Sequence, residues 1–138
     1  MSSEQNKVTV RRFYEEVINQ QKLAILDDLL GDTFVNHDLP STPAALKSFI
    51  GSFHAAFPDG QITIDQMIAE GDTVALRATF QGTQTGKLQD IPPTGKAVTI
   101  PALDMYRMVD GKIVEAWGGP NQFSLLQQLG IIPPSPAM

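Results

Sequence analysis

Residues 98–117 read VTIPALDMYRMVDGKIVEAW, and the alternation inside that stretch decides the fold. Successive side chains of a strand project to opposite faces. Val98, Ile100, Asp104 and Tyr106 therefore share one face of a strand over residues 98–109, and Leu103, Met105 and Arg107 share the other. Asp110–Gly111 is turn chemistry, so the chain reverses into a second strand over residues 112–117 that carries the only tryptophan.

The turn sets what lies opposite Asp104. A two-residue turn pairs it with Trp117, whereas a three-residue turn with Gly111 in a left-handed bulge pairs it with Ala116. The second is preferred, because it gathers Val98, Ile100, Asp104, Tyr106, Val114, Ala116 and Gly118 on one face and leaves Arg107 and Glu115 on the other. The first of these faces is the expected interior.

Upstream lies a second hairpin. Ile62, Ile64 and Ile68 alternate onto one face, Glu70–Gly71–Asp72 turns the chain, and Val74, Leu76, Ala78 and Phe80 continue the pattern. A loop rich in Gly, Thr and Pro, residues 82–96, joins the two hairpins. The chain before residue 58 is helical in its periodicity. Ser2 and Ser3 can cap a helix whose apolar stripe is Val10, Phe13, Tyr14, Val17 and Ile18. Residues 22–30 form a short helix stopped by Gly31 as a left-handed cap, and residues 32–40 run extended to Pro40. Thr42 caps, and Pro43 opens, a third helix with the stripe Leu46, Phe49, Ile50, Phe53 and Phe57. A last helix covers residues 123–129 and ends at Gly130. Helices first and an antiparallel sheet after them describe an α+β domain with helices laid on one face. Residues 1–132 are expected to form that single domain, with 133–138 as a tail.

Composition narrows function. At 138 residues, with 42% hydrophobic and 18% charged side chains, the chain can bury a core, and its apolar runs are too short to cross a bilayer. No membrane partner is expected. The N-terminus has no apolar run behind its charges, so a cytoplasmic location is expected. With no cysteine and two histidines the chain offers no disulfide and no thiol nucleophile, and no metal site is expected. A net charge of −5 with scattered Lys and Arg opposes a phosphate backbone, so no nucleic acid is expected.

Asp104 is a carboxylate on an otherwise apolar face. Burial without a partner costs several kcal/mol on the order of a transferred polar group unless the proton affinity rises or a donor reaches it. It is thus either a catalytic base or a structural acceptor for a donor such as Tyr14. Tyr106 is a second possible donor. His54, beside the apolar stripe of the third helix, is expected to make a structural hydrogen bond. Leu103, Met105 and Trp117 place much apolar area on the outer face, where the expectation is a homodimer, the alternative being a covering helix.

The markers Phe57–Pro58–Asp59, Glu70–Gly71–Asp72, Gly82–Thr83 with Gly86, Pro93–Thr94–Gly95, the run from Asp110 to Glu115, and Trp117 resemble those of the SnoaL-like polyketide cyclase family, also described as predicted ester cyclases. The resemblance implies a nuclear transport factor 2-like (cystatin-like) α+β barrel, a cone-shaped curved sheet with the N-terminal helices on its concave face. It implies a usually dimeric protein with a site inside the cone that uses no cofactor. In such cyclases an aspartate removes a proton α to a carbonyl and the enolate closes a ring. Relatives commonly end the last strand Glu-His-Trp-Asp, where this chain has Glu115–Ala116–Trp117–Gly118. A histidine often found in the preceding loop is Gln84 here, and an acid often found past the strand is Asn121. His37, in VNHDLP, resembles the family's His-Asp pair at the cavity mouth.

The expected site accordingly uses Asp104 and His37 as catalytic residues, with Tyr14, His54, Gln84, Tyr106, Gly118 and Asn121 against the substrate, a small apolar carbonyl compound. Cofactor-free aldol-type cyclisation or isomerisation is one reading. The alternative is a non-catalytic binding module, because the family's acid is replaced by Gly118. If an aspartate placed at 118 created proton abstraction, the missing acid and not the added space would be the more important consequence of the glycine.

Overall fold

The computed structural model describes residues 2–133. Helix α1, Ser3–Arg12, opens on a reciprocal cap in which Ser2 Oγ accepts from the Gln5 N–H at 3.1 Å and Gln5 Oε1 accepts from the Ser2 N–H at 3.2 Å. It runs on without a break into a wider π-helical stretch, Phe13–Asn19. Val10, Phe13, Tyr14 and Val17 are buried on one stripe, as the spacing predicts. A 3-10 turn, Leu23–Ile25, leads into α2, Leu26–Leu29, and then directly into strand β1, Leu30–Asn36.

Gly31 is therefore not a left-handed helix cap. It lies inside β1, where a Cβ would come within 2.7 Å of Val114 Cγ1, so glycine serves close approach of two strands. Helix α3, Pro43–Ala56, begins as expected, with Thr42 Oγ1 accepting from the Ala45 N–H at 3.1 Å and proline in the first turn.

Strands β2 (Gln61–Glu70), β3 (Thr73–Thr83), β4 (Ala97–Val109) and β5 (Lys112–Trp117) follow, and α4, Gln122–Gln128, completes the chain. The sheet order is β1-β5-β4-β3-β2, curved and unclosed. β2 to β5 pair antiparallel, but β1 runs parallel to β5, pairing Leu30 with Ile113 and Asn36 with Ala116. A segment expected only to be extended is thus an edge strand, and its irregular register between Leu30 and Val35 explains why no clean alternation marks it. Positions 134–138, expected as part of the tail, lie outside the described residues.

Two bulges correct the expected faces. One between Ile64 and Gln66 adds a residue to β2, so Met67 and Ala69 pack on the core while Ile68, expected beside Ile62 and Ile64, is 61% exposed. The second lies in β5. Asp110 and Gly111 form a two-residue turn with φ of 51° and 75°, pairing Val109 with Lys112 and Met108 with Ile113. The register then shifts, and Arg107 pairs with Glu115, Tyr106 with Ala116 and Met105 with Trp117. The two-residue register thus holds only next to the turn, and beyond the bulge Asp104 comes opposite neither Trp117 nor Ala116, because turn and bulge each move the ladder by their own amount. Ile113 and not Val114 joins the core, with Val114 buried outside it against Gly31.

Every even position of β4 from Val98 to Met108 is buried and every odd one exposed. α1 with its π-helical extension covers this buried face through Val10, Tyr14 and Val17, which pack with Val74, Leu76, Tyr106 and Met108. No helix among the described residues is long and apolar enough to cross a membrane.

Candidate functional site

Asp104 and Tyr106 are successive inward positions of β4, and Tyr14 reaches them from the helix that covers the sheet. The Tyr14 hydroxyl donates to Asp104 Oδ2 and also contacts the Tyr106 hydroxyl. Tyr14 has one proton to give, so the second contact runs from the Tyr106 hydroxyl to the Tyr14 oxygen. The other carboxylate oxygen, Asp104 Oδ1, accepts from the Gly119 N–H at 2.7 Å. Phe13 packs edge-on against both tyrosine rings, with centroids 5.4 Å from Tyr14 and 6.2 Å from Tyr106.

Charge in this cluster is set by burial. Loss of solvent pushes the Asp104 carboxyl above the usual range, against the hydrogen bonds from Tyr14 and Gly119, and the Asp38 carboxylate adds repulsion. Burial likewise raises both tyrosines well above their ordinary value, with the neighbouring tyrosine and Asp104 adding to it at Tyr14 and Asp104 alone at Tyr106. The two hydroxyls consequently stay protonated at neutral pH and remain donors.

The cluster forms one side of a cavity of about 100 Å³ between the sheet and α3. Phe49, Ile50, Phe53 and His54 of α3 make up the facing wall, and Leu39, Gly118, Gly119 and Pro120 close the end near Asp104. No Lys or Arg among the described residues lines it. An acid with protonated phenols in an apolar chamber can exchange a proton with a bound molecule and stabilise an oxyanion on it.

Tyr14, His54, Asp104, Tyr106 and Gly118 are thus brought to one cavity, and three other expected residues are not. His37 lies on the far side of the sheet, its Nε2 2.7 Å from Glu115 Oε2 and its ring stacked on Trp117 at 4.9 Å and 9°. Glu115 in turn accepts from Arg107 Nε at 2.7 Å, which with His37 holds its carboxyl below the usual range. Gln84 is fully buried but away from the cavity. Its Nε2 donates to the carbonyls of Gly86, Ile91 and Pro92, and its Oε1 accepts from Thr94, so it ties up the 84–94 loop. Asn121 caps α4, accepting from the Ser124 N–H at 3.0 Å. The structural hydrogen bond expected of His54 is not formed, since among the described residues its ring has no partner.

The glycine pair reads differently from the expectation as well. Gly118 has φ of +111° and Gly119 of +126°, and a Cβ on Gly118 would fall 2.4 Å from Asp104 Oδ1 and 2.5 Å from the Leu103 carbonyl oxygen. The space a side chain would enter is already filled by the Asp104 carboxylate. The Gly118 N–H donates to Asp38 Oδ2 at 2.7 Å. The sequence marks Asp38 only as the partner of His37 in the His-Asp pair, and it marks the Gly119 amide only by two glycines in a row, because that amide acts through backbone geometry.

A curved, unclosed α+β sheet with helices packed on it is the fold of the SnoaL-like, nuclear transport factor 2-like cyclases. The family model for SnoaL-like polyketide cyclase matches residues 8–129, and the chain belongs to that family. Nogalonic acid methyl ester cyclase of Streptomyces nogalater is 28% identical over 104 residues, covering 75% of this chain and 78% of that protein. AclR of Streptomyces galilaeus, described as a candidate hydroxylase, superposes with a TM-score of 0.84 at 30% identity, over 98% of this chain and 87% of that one. IdmH of Streptomyces antibioticus, a candidate polyketide cyclase, gives 0.78 at 30% identity over 91% of this chain and 99% of its own.

Proposed function

We propose that the protein binds a small, largely apolar carbonyl compound in this cavity and acts on it by cofactor-independent acid/base chemistry, as a cyclase or isomerase. One observation carries the proposal: the Asp104 carboxylate fills the space into which a side chain at 118 would project. An acid lost from the end of β5 is thereby supplied from the facing strand β4. Asp104 takes a proton from the carbon α to a carbonyl; once protonated it no longer needs the Tyr14 proton, and the Tyr14 hydroxyl, itself accepting from Tyr106, turns its hydrogen bond to the enolate oxygen without giving the proton up. The enolate then attacks a second carbonyl, closing a ring, or is reprotonated at another carbon. Asp104 returns the proton in either case. A positioned base of this kind contributes roughly 10²–10⁴-fold.

The test is exchange of the α-hydrogen of an aryl β-keto ester for deuterium in D2O, followed by NMR. The wild-type protein is expected to accelerate exchange, and Asp104→Asn to lose the acceleration while keeping its circular dichroism spectrum. Equal acceleration by the variant removes Asp104 from the role. The base must be ionised, so the rate is expected to rise with pH through a midpoint above the ordinary carboxylate range, in the direction burial shifts Asp104.

The second reading, a non-catalytic binding module, draws on both Asp104 oxygens already accepting hydrogen bonds. It requires saturable binding of the same ester with no exchange. We further propose a homodimer formed through the outer sheet face.

A further inference from the structure

The two amides of the glycine turn are held by two different carboxylates. Gly118 N–H donates to Asp38 Oδ2 and Gly119 N–H to Asp104 Oδ1, each at 2.7 Å. Both glycines have φ values beyond +100°, where backbone has few conformations of its own preference, so the turn takes its shape from what grips it. Asp38 is itself fixed. Asn36 Oδ1 accepts from the Asp38 N–H at 3.0 Å and from the Leu39 N–H at 2.8 Å, an Asx-type turn anchored at the end of β1. Leu39 then packs against Gly119, where a Cβ would meet three of its side-chain carbons at 3.3 Å.

We infer that Asp38 is a positioning residue for the acid in the cavity: by holding Gly118 it fixes the turn in the conformation that aims the Gly119 N–H at Asp104. The inference rests on reading Asp104 as the base. Through it the β1–α3 connection, whose Leu39 closes the cavity end near Asp104, governs where the carboxylate sits and how readily it takes a proton. The groups facing Asp104 are Tyr14 from the helical cover, Tyr106 from its own strand, Asp38 through the turn, and His54 across the cavity; β3 opposite offers Leu76 and β5 offers Ala116 and Gly118. Of these only Asp38 is an exposed residue that can be changed without opening the cavity.

Two variants of the full chain separate geometry from charge. Asp38→Asn removes the charge but keeps a carbonyl oxygen for Gly118, and Asp38→Ala removes both. Amide hydrogen exchange at Gly118 and Gly119 is expected to stay within about twofold of wild type in Asp38→Asn and to quicken roughly fivefold or more in Asp38→Ala, the range one ordinary hydrogen bond holds. The Asp104 carboxyl, followed by its 13C shift, is expected to titrate at higher pH in Asp38→Ala than in Asp38→Asn, because both lack the charge and only the alanine variant loosens the Gly119 bond. If Gly119 exchange and the Asp104 titration coincide in the two variants, Asp38 does not position the acid. Neither readout needs a substrate, so failure of the proposed reaction leaves this test intact.

Discussion

Asp104 and Gly118 face each other at the end of the β4–β5 ladder, and the gap between them holds one functional group. Gly118→Asp is therefore not expected to create proton abstraction, contrary to what the residue types alone suggest. Its Cβ would collide with Asp104 Oδ1 and its backbone would be held at φ +111°. The expected outcome is a loss of stability on the order of 2–4 kcal/mol, strain and displacement of the acid together, read as a lower urea midpoint. A midpoint equal to wild type would mean the turn relaxes freely. At this scale the inward acid and its two phenols were legible, because strand alternation and helical spacing point each of them to a face. The sequence offers Tyr14 as one donor for Asp104, but the contact itself joins residues 90 apart in sequence. An exposed histidine beside a strand end can turn to either face, and Trp117 and Glu115 draw His37 outward.

Each element forms where its local signals say, and the errors lie at the irregular points. Gly31 and Gly111 both read from the sequence as left-handed glycines at the end of an element. One serves a strand crossing too close for a Cβ and the other a turn with positive φ, a distinction made by neighbours and not by the residue. The bulges in β2 and β5 break the alternation, which moves Ile68 to solvent and lets Ile113 and Ala116, three apart, share the core face. Gln84 has the same lesson for loops. A polar side chain in a Gly- and Pro-rich stretch reads as a ligand contact, but burial with five side-chain hydrogen bonds makes it the internal scaffold of that loop. Gln84→Ala is expected to cost about 3 kcal/mol by leaving carbonyls and the Thr94 hydroxyl unpaired, and to expose the 84–94 segment to limited proteolysis. An unchanged cleavage pattern would assign the loop's order to its prolines instead.

For the whole molecule, the outer sheet face is the feature that α1 and α3 leave uncovered. Leu103 is 75% exposed and Met105 45%, with half-buried Trp117 opposite Met105 in the ladder. If a second copy covers this face, light scattering on the wild-type chain gives twice the monomer mass, and Leu103→Glu, which changes no contact of the cavity, shifts it to the monomer. A monomeric wild type excludes the dimer. The sequence by itself determined the α+β class, the helical stripes, the four antiparallel strands, the inward-facing acid and the family, since all of these follow from periodicity and local turn chemistry. Only the tertiary structure decided that β1 joins the sheet in parallel, that the Asp104 carboxylate occupies the space a side chain at 118 would enter, and that Gln84 and His37 stand apart from the cavity. Those outcomes depend on bulges and on which distant groups arrive beside one another, and that is a property of packing that no local pattern carries.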